Sequence, residues 1–208
     1  MSDDNLKLGK VGVLGRFKPL HLGAARLLEE VCRQSEQVVI GIGSSNKYNI
    51  RNPFTFEETK EMIMRYLSPS YSNYTIIPID DFAHIPQFSD GERWTQEILE
   101  KYGALDAFVS GNEYVKKLLQ PHYRLIESFA LVPPEKWIKV SGTIVRVALA
   151  KGEGWEKLVP ESIAAYMKEK GLDARFRREF GLQTLAELAN GNVYDRNVEA
   201  EKEHTLMK

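Results

Sequence analysis

Apolar residues along the chain alternate between short unbroken runs and stretches of helical spacing. Val11-Gly12-Val13-Leu14-Gly15 is an unbroken run of the kind that forms a strand buried on both faces of a parallel sheet. Leu22 to Arg33 repeats its apolar positions with helical spacing. A second run, Val38 to Gly43, then stops at Ser44-Ser45-Asn46. Together these form a βαβ unit. The alternation continues with a helix over Phe56 to Leu67, a strand over Tyr74 to Ile79, a helix over Gly91 to Tyr102 and a strand at Ala107-Phe108-Val109. This order predicts a doubly wound α/β fold: a mostly parallel sheet, helices on both faces, and right-handed crossovers. Ligands of such sheets sit beyond the carboxyl ends of the strands, so the exit of the first strand is the place to look.

Helical spacing returns over Thr143 to Ala150 and Glu161 to Lys170, and then over Asp173 to Leu188, which is rich in arginine and glutamate. The reading divides the chain into a main domain, 1–170, and a C-terminal helical extension and tail, 171–208. The extension fits a packed extra helix and an oligomer contact equally well. The polar tail after Asn190 is expected to fray.

Composition narrows the function classes. With 43% hydrophobic and 27% charged residues the 208-residue chain is ordinary globular material, long enough for a sizeable core. Its formal net charge of -1 gives no general attraction to nucleic acid or an anionic membrane, so an anionic ligand must be held by a few local cations. No apolar run is long enough to span a bilayer, and the N-terminus begins acidic. The single cysteine, Cys32, lies in a helical pattern and reads as a core residue in a reducing, cytoplasmic setting. His122, His204 and Trp155 read as surface, surface and packing residues.

The chemistry concentrates between the first strand and the first helix, in Gly15-Arg16-Phe17-Lys18-Pro19-Leu20-His21-Leu22-Gly23. Glycine allows close backbone approach, N–H groups at a helix start favour an anion, and Arg16, Lys18 and His21 can surround it with donors. This is a candidate phosphate cradle.

Further elements occur in order behind it. Gly41-Ile42-Gly43-Ser44 precedes Asn52-Pro53-Phe54-Thr55; Phe108-Val109-Ser110-Gly111-Asn112 follows; then come Ser141-Gly142-Thr143-Ile144-Val145-Arg146 and Gly152 to Pro160. Together with the cradle they resemble the archaeal nicotinamide mononucleotide adenylyltransferases and, more widely, the HxGH-motif, cytidylyltransferase-like nucleotidyltransferases. The resemblance covers roughly residues 10 to 170. It implies a Rossmann-like nucleotidyltransferase domain, in-line attack of an acceptor phosphate on the α-phosphate of ATP, and Mg²⁺ carried with the triphosphate. His21, Arg16, Lys18 and Arg146 would serve the phosphates, supported by Gly15, Phe17, Gly23, Ser141, Gly142 and Thr143. Ser141-Gly142-Thr143 also fits a plain helix cap. Gly111 and Asn112 would lie against adenine and ribose. Lys47, Asn52, Phe54, Thr55, Asp80 and Trp94 would meet the acceptor, with ordinary core packing an equal alternative for Trp94. Relatives form multimers, so a homo-oligomer is a further implication.

Two positions depart from the pattern. The second histidine of HxGH is Ala24, which removes one donor from the developing charge, a loss typically costing about 100- to 1000-fold in rate. Lys18 or Lys47 is placed to supply part of that charge. In the acceptor region Thr59 stands where the resemblance expects arginine, with Lys47, Arg51 and Lys60 nearby. His84, beside Asp80 and Asp81, fits a capped surface loop better than a metal site, and no protein metal site is expected. The leading function is adenylyl transfer from ATP to a phosphorylated acceptor, foremost nicotinamide mononucleotide, in NAD synthesis. The alternatives are a nucleotidyltransferase using CTP or another acceptor, and a nucleotide-binding protein with impaired catalysis.

Overall fold

The computed structural model describes residues 7–191; the acidic N-terminus, His204 and the tail expected to fray lie outside the described residues. In chain order the elements are β1 (Leu8–Gly15), α1 (Leu22–Gln34), β2 (Ser35–Ile42), α2 (Phe56–Leu67), β3 (Tyr74–Pro78), α3 (Glu92–Tyr102), β4 (Ala107–Val109), α4 (Glu113–Leu119), β5 (Leu125–Ile126), α5 (Ser128–Leu131), α6 (Gly142–Lys151), α7 (Glu161–Glu169), α8 (Leu172–Phe176) and α9 (Leu182–Ala189). The sheet runs β3-β2-β1-β4-β5, and every pairing is parallel rather than most of them. β1 is central: Val13 faces Ile40 of β2 on one side and Val109 of β4 on the other. Strand order therefore reverses at β1, and the crevice beyond its carboxyl end is the one such folds use for ligands.

The period of two along the strands sorts the core into two layers. Val11, Val13, Val38, Ile40 and Ile42 join Leu28, Ile63, Leu149 and Met167 from α1, α2, α6 and α7. Val39 and Phe108 point the other way, to Ile98 and Tyr102 of α3 and Leu119 of α4. Helices thus cover both faces. On the α3 side the approach is close: a Cβ on Gly41 would lie 2.0 Å from the Tyr102 hydroxyl oxygen, so glycine is what admits that ring. The Tyr102 hydroxyl donates to Val13 O at 2.9 Å, and complete burial raises its phenol well above the ordinary value, so it stays a neutral donor.

Three elements escape the apolar pattern. β5 has two residues and α5 four, too few for any period, and α4 is a seven-residue helix capped by Asn112, whose Oδ1 accepts from Val115 N. Cys32 is buried as expected, and burial pushes its thiol up to about 12, away from nucleophilic use.

The stretch Asp173 to Leu188, read as one helix, is α8 and α9 joined by a π turn, Arg177–Gly181. Leu172 and Phe176 enter the main core, with Phe176 only 1% exposed, stacked on Phe54 and tilted against Phe180. Phe176→Ala should therefore lower the unfolding free energy by about 3–4 kcal/mol in urea denaturation. Leu182→Ala, at a side chain 86% exposed, should change it by under about 0.5 kcal/mol. Equally small effects for both would place α8 outside the cooperative core.

Candidate active site

The chain leaves β1 through a turn that is bent against its own preference. Phe17 is a non-glycine residue at φ 52, and Ser44, at the exit of the neighbouring β2, has φ 53. Left-handed backbone at such residues costs of order 1–3 kcal/mol and persists where the surroundings over-determine it. Here the surroundings are shared: Lys18, only 2% exposed, donates its Nζ to Ser44 O at 2.9 Å and so ties the two strand exits together. The Lys18–Pro19 peptide bond is cis.

His21 then caps α1. Its Nδ1 accepts the Ala24 N–H at 3.2 Å, which in the neutral ring leaves the proton on Nε2 as a donor. Gly23 is required two residues on, because a Cβ there would come within 2.7 Å of Ile138 O and 3.2 Å of Val140 O. That contact presses the start of α1 against the segment leading into α6. α6 is capped by Ser141, whose Oγ accepts the Ile144 N–H at 3.3 Å. From its first turns Arg146 reaches back, with Nη1 donating to Lys18 O at 3.3 Å and Nη2 to Thr143 Oγ1 at 3.1 Å. Two helix N-termini, with their partial positive charge, thus open side by side.

They open into a cavity of about 1010 Å³. Gly15, Arg16, Phe17, Lys18, His21 and Gly23 line it from the first motif, and Ser141, Gly142, Thr143 and Arg146 from the last. Among the described lining residues six are Lys or Arg and none is Asp or Glu. Arg26 and Lys136 pair with Glu29 and Glu30, and Arg16, Lys18 and Arg146 reach the wall from the first and last motifs. Burial, and then the charge of Arg16, lowers the Lys18 pKa to about 8. Like charges crowd on this wall, a repulsion that an anion placed among them would relieve.

The remaining expected residues, Gly111, Asn112, Lys47, Asn52, Phe54, Thr55, Asp80 and Trp94, are not among the residues that line this cavity. Gly111 abuts Ser128, a lining residue, with a Cβ there placed 2.6 Å from Ser128 Oγ, while Asn112 caps α4. Lys47, Asn52 and Thr55 belong to the loop leaving β2, where Lys47 Nζ lies 2.5 Å from His84 Nδ1 and Thr55 forms a capping box with Glu58. Phe54 is fully buried against Phe176, so it shapes this loop from beneath and offers no surface to a ligand. Asp80 receives its support through its N–H, which donates to Glu97 Oε1 at 3.1 Å. Trp94 is half-buried and packs against the α3-side core, in keeping with its packing alternative. Thr59 is buried, its hydroxyl donating to Thr55 O at 2.8 Å, and so serves α2 rather than a ligand.

Comparison with known proteins gives the family. Residues 13–148 match the model of the family described as cytidylyltransferase-like. The chain belongs to the cytidylyltransferase-like family. A nicotinamide-nucleotide adenylyltransferase of Thermococcus onnurineus is 33% identical over 165 residues, covering 77% of this chain and 83% of the relative. Another, of Thermoplasma volcanium, is 29% identical over 168 residues, covering 80% and 89%. Among solved structures, a bifunctional NMN adenylyltransferase/ADP ribose pyrophosphatase of Francisella tularensis, complexed with AMP and a manganese ion, superposes with a TM-score of 0.62 at 21% identity. The match covers 83% of this chain and 52% of that one, so the present chain spans about half of the bifunctional protein.

Within this cytidylyltransferase-like site several lining residues carry no motif: Arg26, Ser128, Phe129, Lys136, Trp137 and Lys139. Phe129 and Trp137 stand 6.4 Å apart at the mouth, both about half exposed. Exposed aromatics beside a cationic cluster were the available signal, but the segment has no periodicity to place them.

The lowered Lys18 pKa sets a pH dependence. An ordinary lysine stays charged to about 10.5, whereas Lys18 is charged below about 8 and neutral above it. Affinity for a nucleoside triphosphate, measured by calorimetry, should therefore fall as pH rises through about 8, by roughly tenfold or more as one charge-assisted contact is lost. Lys18→Met should bind weakly at both ends of that range and show no such step.

Proposed function

We propose that this protein transfers the adenylyl group of ATP to nicotinamide mononucleotide, giving NAD and pyrophosphate. The observation that carries the reading is the convergence of Arg16, Lys18, His21, Arg146 and two helix N-termini on one cavity free of carboxylates among its described lining residues. Its relatives named as nicotinamide-nucleotide adenylyltransferases support the choice of substrates.

In the reaction an oxygen of the acceptor's phosphate attacks the α-phosphorus of ATP. The new P–O bond forms as the bond to the bridging oxygen breaks, and the electron pair leaves on pyrophosphate. The work left to the protein is positioning and charge stabilisation. The Nε2–H of His21 donates to an α-phosphate oxygen, an orientation its capping bond already fixes. Arg146 and Lys18 hold the departing β- and γ-phosphates, and the N–H groups at the start of α6 complete the cradle. The aromatic mouth at Phe129 and Trp137 is apolar enough to receive the base.

A divalent ion, Mg²⁺ by this reading, fits the site only as a passenger of the triphosphate, since the described cavity wall offers hydroxyls of Ser141 and Thr143 and no carboxylate cage. When bound it neutralises phosphate charge. We also assign the protein to the cytoplasm: its one cysteine is a buried free thiol, and no helix among the described residues is long and apolar enough to cross a membrane.

Pyrophosphate release from ATP or CTP, with Mg²⁺ and a panel of phosphorylated acceptors, tests the reading. Release is expected with ATP and nicotinamide mononucleotide. Release only with another pair would replace the substrate assignment, and nucleotide binding without release would replace the enzyme with a binding protein. Arg146→Ala should lower kcat by about 100- to 1000-fold. Because Ala24 lines the cavity, Ala24→His adds a donor there and should raise kcat; an unchanged rate would count against the proposed chemistry.

A further inference from the structure

The C-terminal helices grip the loop that leaves β2, and they do so at three points. Arg175 of α8 forks across Glu58, Nη1 to Oε1 at 2.5 Å and Nη2 to Oε2 at 2.7 Å, while Nη2 also donates to Pro53 O at 3.2 Å. Phe176 stacks on Phe54 with ring centroids 6.4 Å apart. From the π turn, Glu179 accepts the Tyr48 hydroxyl, and Phe180 meets the Tyr48 ring edge-on at 5.4 Å.

The loop has little of its own to hold it. Residues 46–52 are mostly polar or exposed; Lys47 N–H donates to Ser44 O and Lys47 Nζ meets His84, and the other bonds within the loop are short-range ones between Asn49 and its neighbours. Its shape is therefore set from outside, at Asp81 on one flank through Asn46 and at the C-terminal helices on the other. A π turn is a rare local device, most often found at functional sites, and this one delivers Glu179 and Phe180 to Tyr48 while α8 keeps Phe176 in the core.

We infer that the α8–π segment is the positioning element of the acceptor side: it holds residues 46–55 in the shape that receives a phosphorylated mononucleotide, and Arg175 is its principal positioning residue. This rests on the reading above that the loop carrying Lys47 and Arg51 faces the acceptor. ATP enters by the other side of the cradle and does not depend on the grip.

Three full-length variants test it, Arg175→Ala, Arg175→Lys and Tyr48→Phe, by amide hydrogen exchange on the free protein and by steady-state kinetics. In Arg175→Ala, exchange over 46–55 should quicken by about tenfold or more while β1 and β2 are unchanged. KM for nicotinamide mononucleotide should rise about tenfold with KM for ATP held within about twofold. Arg175→Lys keeps the charge but not the fork and should recover only part of the loss. Tyr48→Phe should move both readouts in the same direction by less, and it decides the matter if Arg175→Ala does not fold. Unchanged loop exchange in Arg175→Ala and Tyr48→Phe would overturn the grip, and a parallel rise in both KM values would overturn its acceptor role. A wild-type protein inactive with this acceptor would also overturn that role, with exchange alone deciding the grip.

Discussion

The structure turns on one electrostatic problem: positive charge must be gathered at the edge of a sheet and kept there while no anion is present. Carboxylates would solve it by pairing with the cations, but they would then compete with phosphate for the same donors. Backbone carbonyl and hydroxyl oxygens help to hold two of these cations in place. Lys18 donates to Ser44 O, and Arg146 to Lys18 O and Thr143 Oγ1. Carbonyl and hydroxyl groups direct a cation without cancelling its charge. The carboxylates stand one layer back, where Glu29 and Glu30 balance Arg26 and Lys136.

Much of this was legible in the residues themselves. The runs at Val11 and Val38, with a helix between them, specify a parallel pair, and the glycines, prolines and hydroxyls at their ends mark the edge where ligands bind. The cradle residues and the Ser141 turn could be named in advance because each lies at a strand exit or helix start, positions that sequence signals mark well. The remainder depends on contacts between segments far apart in the chain. Nothing local says that Phe54 turns inward against Phe176, or that Phe129 and Trp137 come to the mouth of the cavity. β5 was invisible because two residues carry no period, yet the turn after it supplies Ser128 to the wall.

The substitution at Ala24 is clearer in three dimensions than in the motif. Its backbone N–H is what His21 Nδ1 accepts, so position 24 keeps its part in orienting the first histidine whatever side chain it bears. The alanine side chain itself donates nothing, and the backbone frame that aims His21 does not depend on it. Lys18, buried and close to Arg16, is the cation best placed to offset that absence.

The hydroxyl of Tyr102 on Val13 O, admitted by the bare backbone of Gly41, pins α3 to the middle of the central strand. The same helix holds the exit of β3, where Glu97 accepts the Asp80 N–H and Lys101 donates to Pro78 O. One helix thus sets the spacing between an inner and an outer strand of the sheet. The central strand it steadies is the one whose carboxyl end, at Gly15, opens into the cavity.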